Sequence, residues 1–360
     1  MAAYTTIDDA GLFYNTVLYT GTDTSGTGTV TGVGFQPDFV WGKVRSKIGQ
    51  HNLFDAVRGA GERLISNGTD GEETNAAYGY LSAFDSDGFT TSAGSTNNEN
   101  WNETSETFAS WNWKGGTTSG ITTDGSTTIT PSAYSFNTTS GFSILKYTGN
   151  STSGAGLAHG LGVKPDFLIM KKTNSAGTDW QIYHQSVGYS NSGDLALNTT
   201  SGQGAQTNFS GEPDATNIFL GGNTINNNSG DTYVCYAFAG INGFSKFDTY
   251  VGNGNADGTF VYTGFRPAYV MNKRFNSSGS WKIHNSKVPA FNVCNLGLAA
   301  NTTAAESAVD GVDRQLDLLS NGFKWRATDT DVNYAGSNYI YMAFAESPFV
   351  NSESVPTNAR

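Results

Sequence analysis

The chain predicts an all-β fold of three tandem β-sandwich-like domains with short helical turns, and three observations predict it. One segment recurs three times: Gly34-Phe35-Gln36-Pro37-Asp38-Phe39-Val40-Trp41-Gly42-Lys43, then Gly162-Val163-Lys164-Pro165-Asp166-Phe167-Leu168-Ile169-Met170-Lys171, then Gly264-Phe265-Arg266-Pro267-Ala268-Tyr269-Val270-Met271-Asn272-Lys273. Each copy closes on an aromatic run: Thr107 to Trp113, Thr232 to Phe238 and Asn338 to Phe344. Charged residues make up only 14 % of the chain, against a typical value of about 25 %. Gly, Thr, Ser and Asn separate short aromatic and β-branched stretches, as turns separate strands.

The segment led by proline reads as a strand whose first residue needs no N–H. Phe39 and Trp41, Phe167 and Ile169, and Tyr269 and Met271 share one face by the period of two, and that face is core. Val40, Leu168 and Val270 are apolar on the other face, so these strands are expected to be covered on both sides. Lys43, Lys171 and Lys273 fall on the aromatic face where each strand leaves the core. A threefold basic site is one reading. The simpler one lays each aliphatic stem along the core and puts the ammonium in water or against a carboxylate.

Next comes Asn67-Gly68-Thr69-Asp70-Gly71-Glu72, matched by Asn198-Thr199-Thr200-Ser201-Gly202-Gln203 and Asn301-Thr302-Thr303-Ala304-Ala305-Glu306. All three are Asn-x-Thr sequons and also Thr-x-x-Glu/Gln capping boxes. The cap reading predicts a short helical turn after each, extending in the third copy from Ala304 to Leu319. The closing strands alternate in turn: Ala109, Trp111 and Trp113 match Val234, Tyr236 and Phe238, and Ile340, Met342 and Phe344. A bulky face opposite a smaller one is expected of two packed sheets.

The step from Pro37 to Pro165 is longer than that from Pro165 to Pro267, and the excess includes the Gly/Thr/Ser-rich stretch from Gly115 to Pro131. The expected division is a first repeat over 1–116, a linker or hairpin over 117–130, a second repeat over 131–242 and a third over 243–360. Units of roughly 100 residues are large enough to fold as domains.

Several chemistries find no support in the residues. Net charge is −11 with no Lys/Arg cluster, which argues against nucleic acid as a partner. The opening Met1 to Asp9 has no basic and apolar leader pattern, and no apolar run is long enough to span a bilayer, so a soluble protein made in the cytoplasm is expected without membrane insertion. Without a leader the sequons should not be glycosylated, which leaves the cap reading. Cys235 and Cys294 occupy non-equivalent places, so two buried thiols are expected rather than a disulfide framework. His51, His159, His184 and His284 share no metal-ligand spacing, and alternation sends His184 and His284 to opposite faces. Asp85-Ser86-Asp87-Gly88 and Asn255-Ala256-Asp257-Gly258 resemble the start of a calcium loop, lack its distant Glu and read as turns. No catalytic residue, metal ligand or cofactor is expected. No ligand-binding residue can be nominated, although glycosidase carboxylates need no local motif and an exposed Trp101, beside Asn100 and Asn102, would suit sugar stacking.

The opening Ala3 to Asp9, Leu53 to Gly59, Phe84 to Thr90, Tyr250 to Phe265, Leu318 to Phe323 and Met342 to Phe349 together resemble a protein family of marine bacteriophages, and the likeness spans essentially the whole chain. The resemblance implies a virion structural protein, tail-fibre-like, with no catalytic residues to carry over. The expected function is therefore a non-enzymatic component of the particle exterior, a tail fibre or tip or a capsid decoration, that leaves the host cytoplasm with the virion. Expected partners are other virion proteins, further copies of the chain, with a trimer by analogy, and a host surface glycan. The alternatives are a carbohydrate-binding module or a polysaccharide depolymerase.

Overall fold

Strands that are apolar on both faces need two coverings, and the computed structural model supplies a different one on each side. It describes residues 4–357 except 24, 191–194, 206, 289–290 and 307–313. The first repeat runs β1 (Tyr14–Thr20), β2 (Thr27–Thr31), β3 (Phe39–Val44), β4 (His51–Asp55), β5 (Glu62–Ile65), β6 (Glu73–Thr74), β7 (Tyr80–Asp85), β8 (Gly88–Ser92) and β9 (Thr107–Trp113). The second runs β10 (Thr127–Ile129), β11 (Ala133–Asn137), β12 (Phe142–Thr148), β13 (Ala155–Ala158), β14 (Phe167–Lys172), β15 (Gln181–His184), β16 (Asn217–Leu220) and β17 (Thr232–Phe238). The third runs β18 (Ser245–Val251), β19 (Phe260–Tyr262), β20 (Phe265–Arg274), β21 (Lys282–Asn285), β22 (Leu298–Ala299), β23 (Leu316–Leu319), β24 (Gly322–Trp325) and β25 (Asn338–Pro348).

Each repeat forms one large antiparallel sheet with its closing strand paired on both edges: β1-β9-β3-β4-β5-β6, β11-β12-β17-β14-β15 and β18-β25-β20-β21-β22. Register is the same in all three, with Phe39 opposite Trp113, Phe167 opposite Phe238 and Tyr269 opposite Phe344. A three-stranded sheet covers one face of each: β2-β8-β7, β10-β13-β16 and β19-β24-β23. Val40 with Phe54 and Phe89, and Leu168 with Ile218 and Leu220, fill the sandwiches of the first two repeats. The Thr/Ser-rich stretch before the second repeat supplies β10, which runs parallel to β13 and buries Ile129.

The opposite, bulky faces meet one another. Phe39, Trp41, Phe167, Ile169, Tyr269 and Met271 belong to a single core shared by all three repeats. The last aromatic of each closing strand reaches its centre: the rings of Trp113, Phe238 and Phe344 lie 6.3, 5.9 and 5.5 Å apart pairwise, an edge-on triad about a pseudo-threefold axis. All seven tryptophans are buried. Trp101 is among them, packed on Phe54, Phe89 and the bare backbone of Gly42, so it is no sugar platform.

The Asn-x-Thr-x-x-Glu/Gln motif does not begin helices. The segments after Thr69 and Thr200 are irregular; after Glu306 the helix expected to Leu319 crosses residues outside the described set and ends in a strand, β23. The one helical element among the described residues is a turn of 3-10 helix at Ala10–Leu12. The motif is instead a latch between neighbours. The asparagine side chain accepts the N–H of His51, Trp180 or Trp281 within its own repeat, at 2.9, 2.9 and 3.0 Å. The threonine contributes its carbonyl, which accepts the N–H of Gly177 for Thr69, of Gly279 for Thr200 and of Gly49 for Thr303. The acidic or amide residue contributes its N–H, from Glu72 to Thr173 O, from Gln203 to Phe275 O and from Glu306 to Arg45 O. These pairs link the second repeat to the first, the third to the second and the first back to the third, which closes a ring. Near the ends of the described chain, the Asp8 carboxylate accepts the backbone N–H and hydroxyl of Ser352 at 2.7 and 2.6 Å.

Candidate functional site

The lysines at the strand ends are part of the same latch. Lys43, Lys171 and Lys273 are buried to within 1 % of complete, not extended into water or onto a carboxylate. Lys273 donates to the carbonyls of Thr200, Arg274 and Gly279 at 3.1, 2.8 and 2.8 Å; Lys171 donates to those of Thr69 and Thr178 at 3.1 and 2.7 Å, and Lys43 to that of Val44 at 2.6 Å. Burial pushes Lys273 down to about 7 and Lys43 and Lys171 down to about 8, and the more distant carboxylates of Asp331, Glu306 and Asp179, respectively, oppose that push. Lys171 and Lys273 each donate to a carbonyl of the neighbouring repeat and so hold a seam, Lys43 bonds within its own repeat, and none of the three is open to a ligand.

The other singled-out residues are also structural. His184 stacks edge-on with Phe167 toward the shared core, whereas His284 meets Trp325 on the outer side, the opposite faces that alternation predicts. His51 accepts from Trp41 Nε1 at 3.0 Å. Burial, foremost, lowers His51 and takes His159 and His184 down to about 4. Asp87 sits in the tight turn joining β7 and β8 and accepts from Gly32 and Gly34; Asp257 pairs with Lys324 and Arg326. Both cysteines are free and buried, and burial raises both thiols, Cys294 to about 12. No helix among the described residues is long and apolar enough to cross a membrane.

Two arrangements carry no local signature in the sequence. One is a saturated network at the seam of the first and second repeats. Asp55 and Arg58 pair at 2.6 Å with both side chains fully buried, Tyr236 donates to Asp55 at 2.7 Å, and Arg58 reaches Glu72 at 3.0 Å. Its hydrogen-bonding capacity is used internally, so it specifies how the repeats dock.

The other is open. Between the second and third repeats lies a groove of about 290 Å³ lined by Asp166, Gln185, Asn242, Lys246, Asp248 and Tyr262, with Tyr4 along one side. A second hollow of about 300 Å³ continues from it past Tyr4, Gly240 and Asn242. Tyr4 donates to the Gly264 carbonyl at 2.8 Å and meets the Tyr262 hydroxyl at 3.1 Å. Gly264 has φ +88°, and a Cβ there would lie 2.8 Å from the Tyr4 oxygen, so glycine permits both the turn and the seat. Lys246 donates to the Tyr262 carbonyl at 2.9 Å, lies 5.5 Å from the Tyr262 ring centre and approaches Asp248 at 3.5 Å. Gln185 donates to the Phe247 carbonyl at 2.7 Å.

The groove exists because the copies differ there. Asp38 and Asp166 each accept an N–H from the chain leaving the closing strand, Gly115 at 2.9 Å and Gly240 at 2.6 Å. At the first seam Ser135 of β11 donates to the second oxygen of Asp38 at 2.9 Å. At the second seam no such strand intervenes among the described residues, and Asp166 lines the opening. Burial holds its carboxyl above the usual range, with Asp248 nearby adding to the rise and the Gly240 N–H and Lys164 opposing it. The third copy has Ala268 at this position.

No curated protein and no solved structure is significantly similar to the chain. Residues 9–348, which take in every repeated segment and nearly all of the ring, match one family throughout, and the chain belongs to that family, described as Domain of unknown function (DUF7483).

Proposed function

We propose that the protein is a non-enzymatic structural component of the exterior of a bacteriophage particle, in a tail fibre or tip or as a capsid decoration, where it contacts a host surface glycan. One observation carries the reading: every thrice-repeated motif is used as scaffold, in strands, latches and buried lysines, while the open groove lies where the copies disagree. A ring of repeats latched at all three seams suits an element that must keep its shape on a particle and present loops outward. The resemblance to phage proteins supplies the setting. Labelling purified virions with antibody to this chain tests it: signal on tail or capsid is expected and separates the two placements, and absence from both would reject the proposal.

A second reading, a polysaccharide depolymerase, is favoured by two carboxylates on one groove, Asp166 with its raised affinity for a proton and Asp248 beside it. It predicts that purified protein lowers the viscosity of host surface polysaccharide and that Asp248→Asn abolishes the effect. Unchanged viscosity would reject it.

A further inference from the structure

We infer that the groove between the second and third repeats binds the end of a neutral oligosaccharide. The inference deepens the preceding reading, on which it rests for the origin of the glycan at a host surface. Its volume falls at the small end of ligand pockets, which run from about 300 Å³, and the hollow beyond Tyr4 extends it in one direction, as a chain of sugar rings requires.

The walls have the chemistry of a polyhydroxylated ligand. Tyr262 and Phe260 project from the same face of β19 by the alternation of the strand and are 48 % and 43 % exposed. A large aromatic ring left in water on the groove wall, with a second exposed on the same strand face, marks an interaction surface, because an apolar ring face gains from being covered by C–H-rich sugar faces. Facing them, Asp166 and Asp248 offer carboxylate oxygens that accept hydroxyl protons, while Asn242 and Gln185 offer amides that both donate and accept. The Asn242 amide has no hydrogen-bond partner among the described residues, whereas Asp166 is fixed by Gly240 and Gln185 by Phe247. Asp248 also accepts the Thr249 N–H at 2.8 Å, so three of the four polar groups are held in place before a ligand arrives, which lowers the ordering cost of binding.

Charge selects among glycans. Two carboxylates line the groove against one ammonium, and Lys246 is already engaged by the Tyr262 carbonyl and Asp248. A uronate or sulfated sugar would set an anion against Asp166 and Asp248 without a free cation, so repulsion excludes it.

The test titrates the intact protein with defined oligosaccharides of dextran and mannan as neutral probes and of alginate as the anionic probe. Saturable binding of at least one neutral probe is expected, with alginate weaker. Tyr262→Ala and Asp248→Ala should each weaken binding by about tenfold, the loss of roughly one good contact. Both positions are half-exposed, and circular dichroism checks that the variants fold. Should either unfold, side-chain amide NMR of the wild-type protein replaces it: saturable shifts of Asn242 and Gln185 on adding the neutral probe support the site. Preference for alginate, no saturable neutral binding, or variants that bind as the wild type does would each overturn the inference. None of these outcomes bears on whether antibody labels the virion, so the two proposals fail separately.

Discussion

At the scale of single residues, the repeated polar side chains act on backbone groups, and their worth can be measured. Asn198 accepts the Trp180 N–H beside its latch. Asn198→Ala should cost about 1–2 kcal/mol in chemical denaturation, because a donor at a buried strand start loses its partner. Thr200→Ala should cost under about 0.5 kcal/mol, since threonine serves through a carbonyl that any residue has; a capping box would reverse that order. Lys273→Met leaves three carbonyl oxygens without their ammonium and should cost about 3 kcal/mol. The buried histidines set the acid limit. His159 and His184 titrate at about 4 in the folded chain and at about 6.5 when unfolded, so between those values the unfolded chain holds more protons. Stability is then complete above about pH 6.5 and falls as pH drops toward 4, by about 1.4 kcal/mol per pH unit for each histidine. Denaturation midpoints across this range should decline less steeply in a His159→Gln/His184→Gln variant; an unaltered slope would contradict the assignment.

At the scale of elements, the closing strand carries the largest share of the shared core. Trp113, Phe238 and Phe344 hold equivalent positions on β9, β17 and β25, and each touches the other two. Substitution of any one by alanine should destabilise by about 3–5 kcal/mol. The double variants should fall short of the sum, since the three rings share one cavity. Additive losses would mean that the repeats do not share a core. The strand sequences explain why this element is interior to each sheet. It must satisfy neighbours on both edges and cover both faces: in the second copy Val234, Tyr236 and Phe238 lie in the shared core while Tyr233, Cys235 and Ala237 line the sandwich.

At the scale of the molecule, the seams and the common core bind the repeats into one cooperative unit. The chain should unfold in a single transition monitored by tryptophan fluorescence and by circular dichroism, with coincident midpoints. The second repeat expressed alone, residues 131–242, should not give a stable monomer, because Phe142, Ile144, Phe167, Ile169, Tyr236 and Phe238 would lose their covering. Two resolved transitions, or a well-folded isolated repeat, would show that the sandwiches stand independently.

The strands, their faces and the threefold recurrence are legible along the chain, because side-chain alternation is local and three copies restate it. Phe39 with Trp41 inward and Val40 outward is readable from the segment alone, and so is the split between His184 and His284. The sequence also marked the Asn-x-Thr motif as structural, but assigned it to helix caps. Cap and latch use the same residues, and what separates them is the partner, which comes from another repeat. The lysines were misjudged for the same reason: stem burial is a local inference, whereas the carbonyls that receive Lys171 and Lys273 include ones from the preceding copy. That the bulky faces meet about one axis and that the three seams close a ring follows from packing between distant segments. That packing alone brought Tyr4, Asp166, Gln185, Asp248 and Tyr262, which share no local spacing, to one groove. Spacing along the chain reports what a strand repeats, while a site between repeats depends on which copies touch and on where their loops differ.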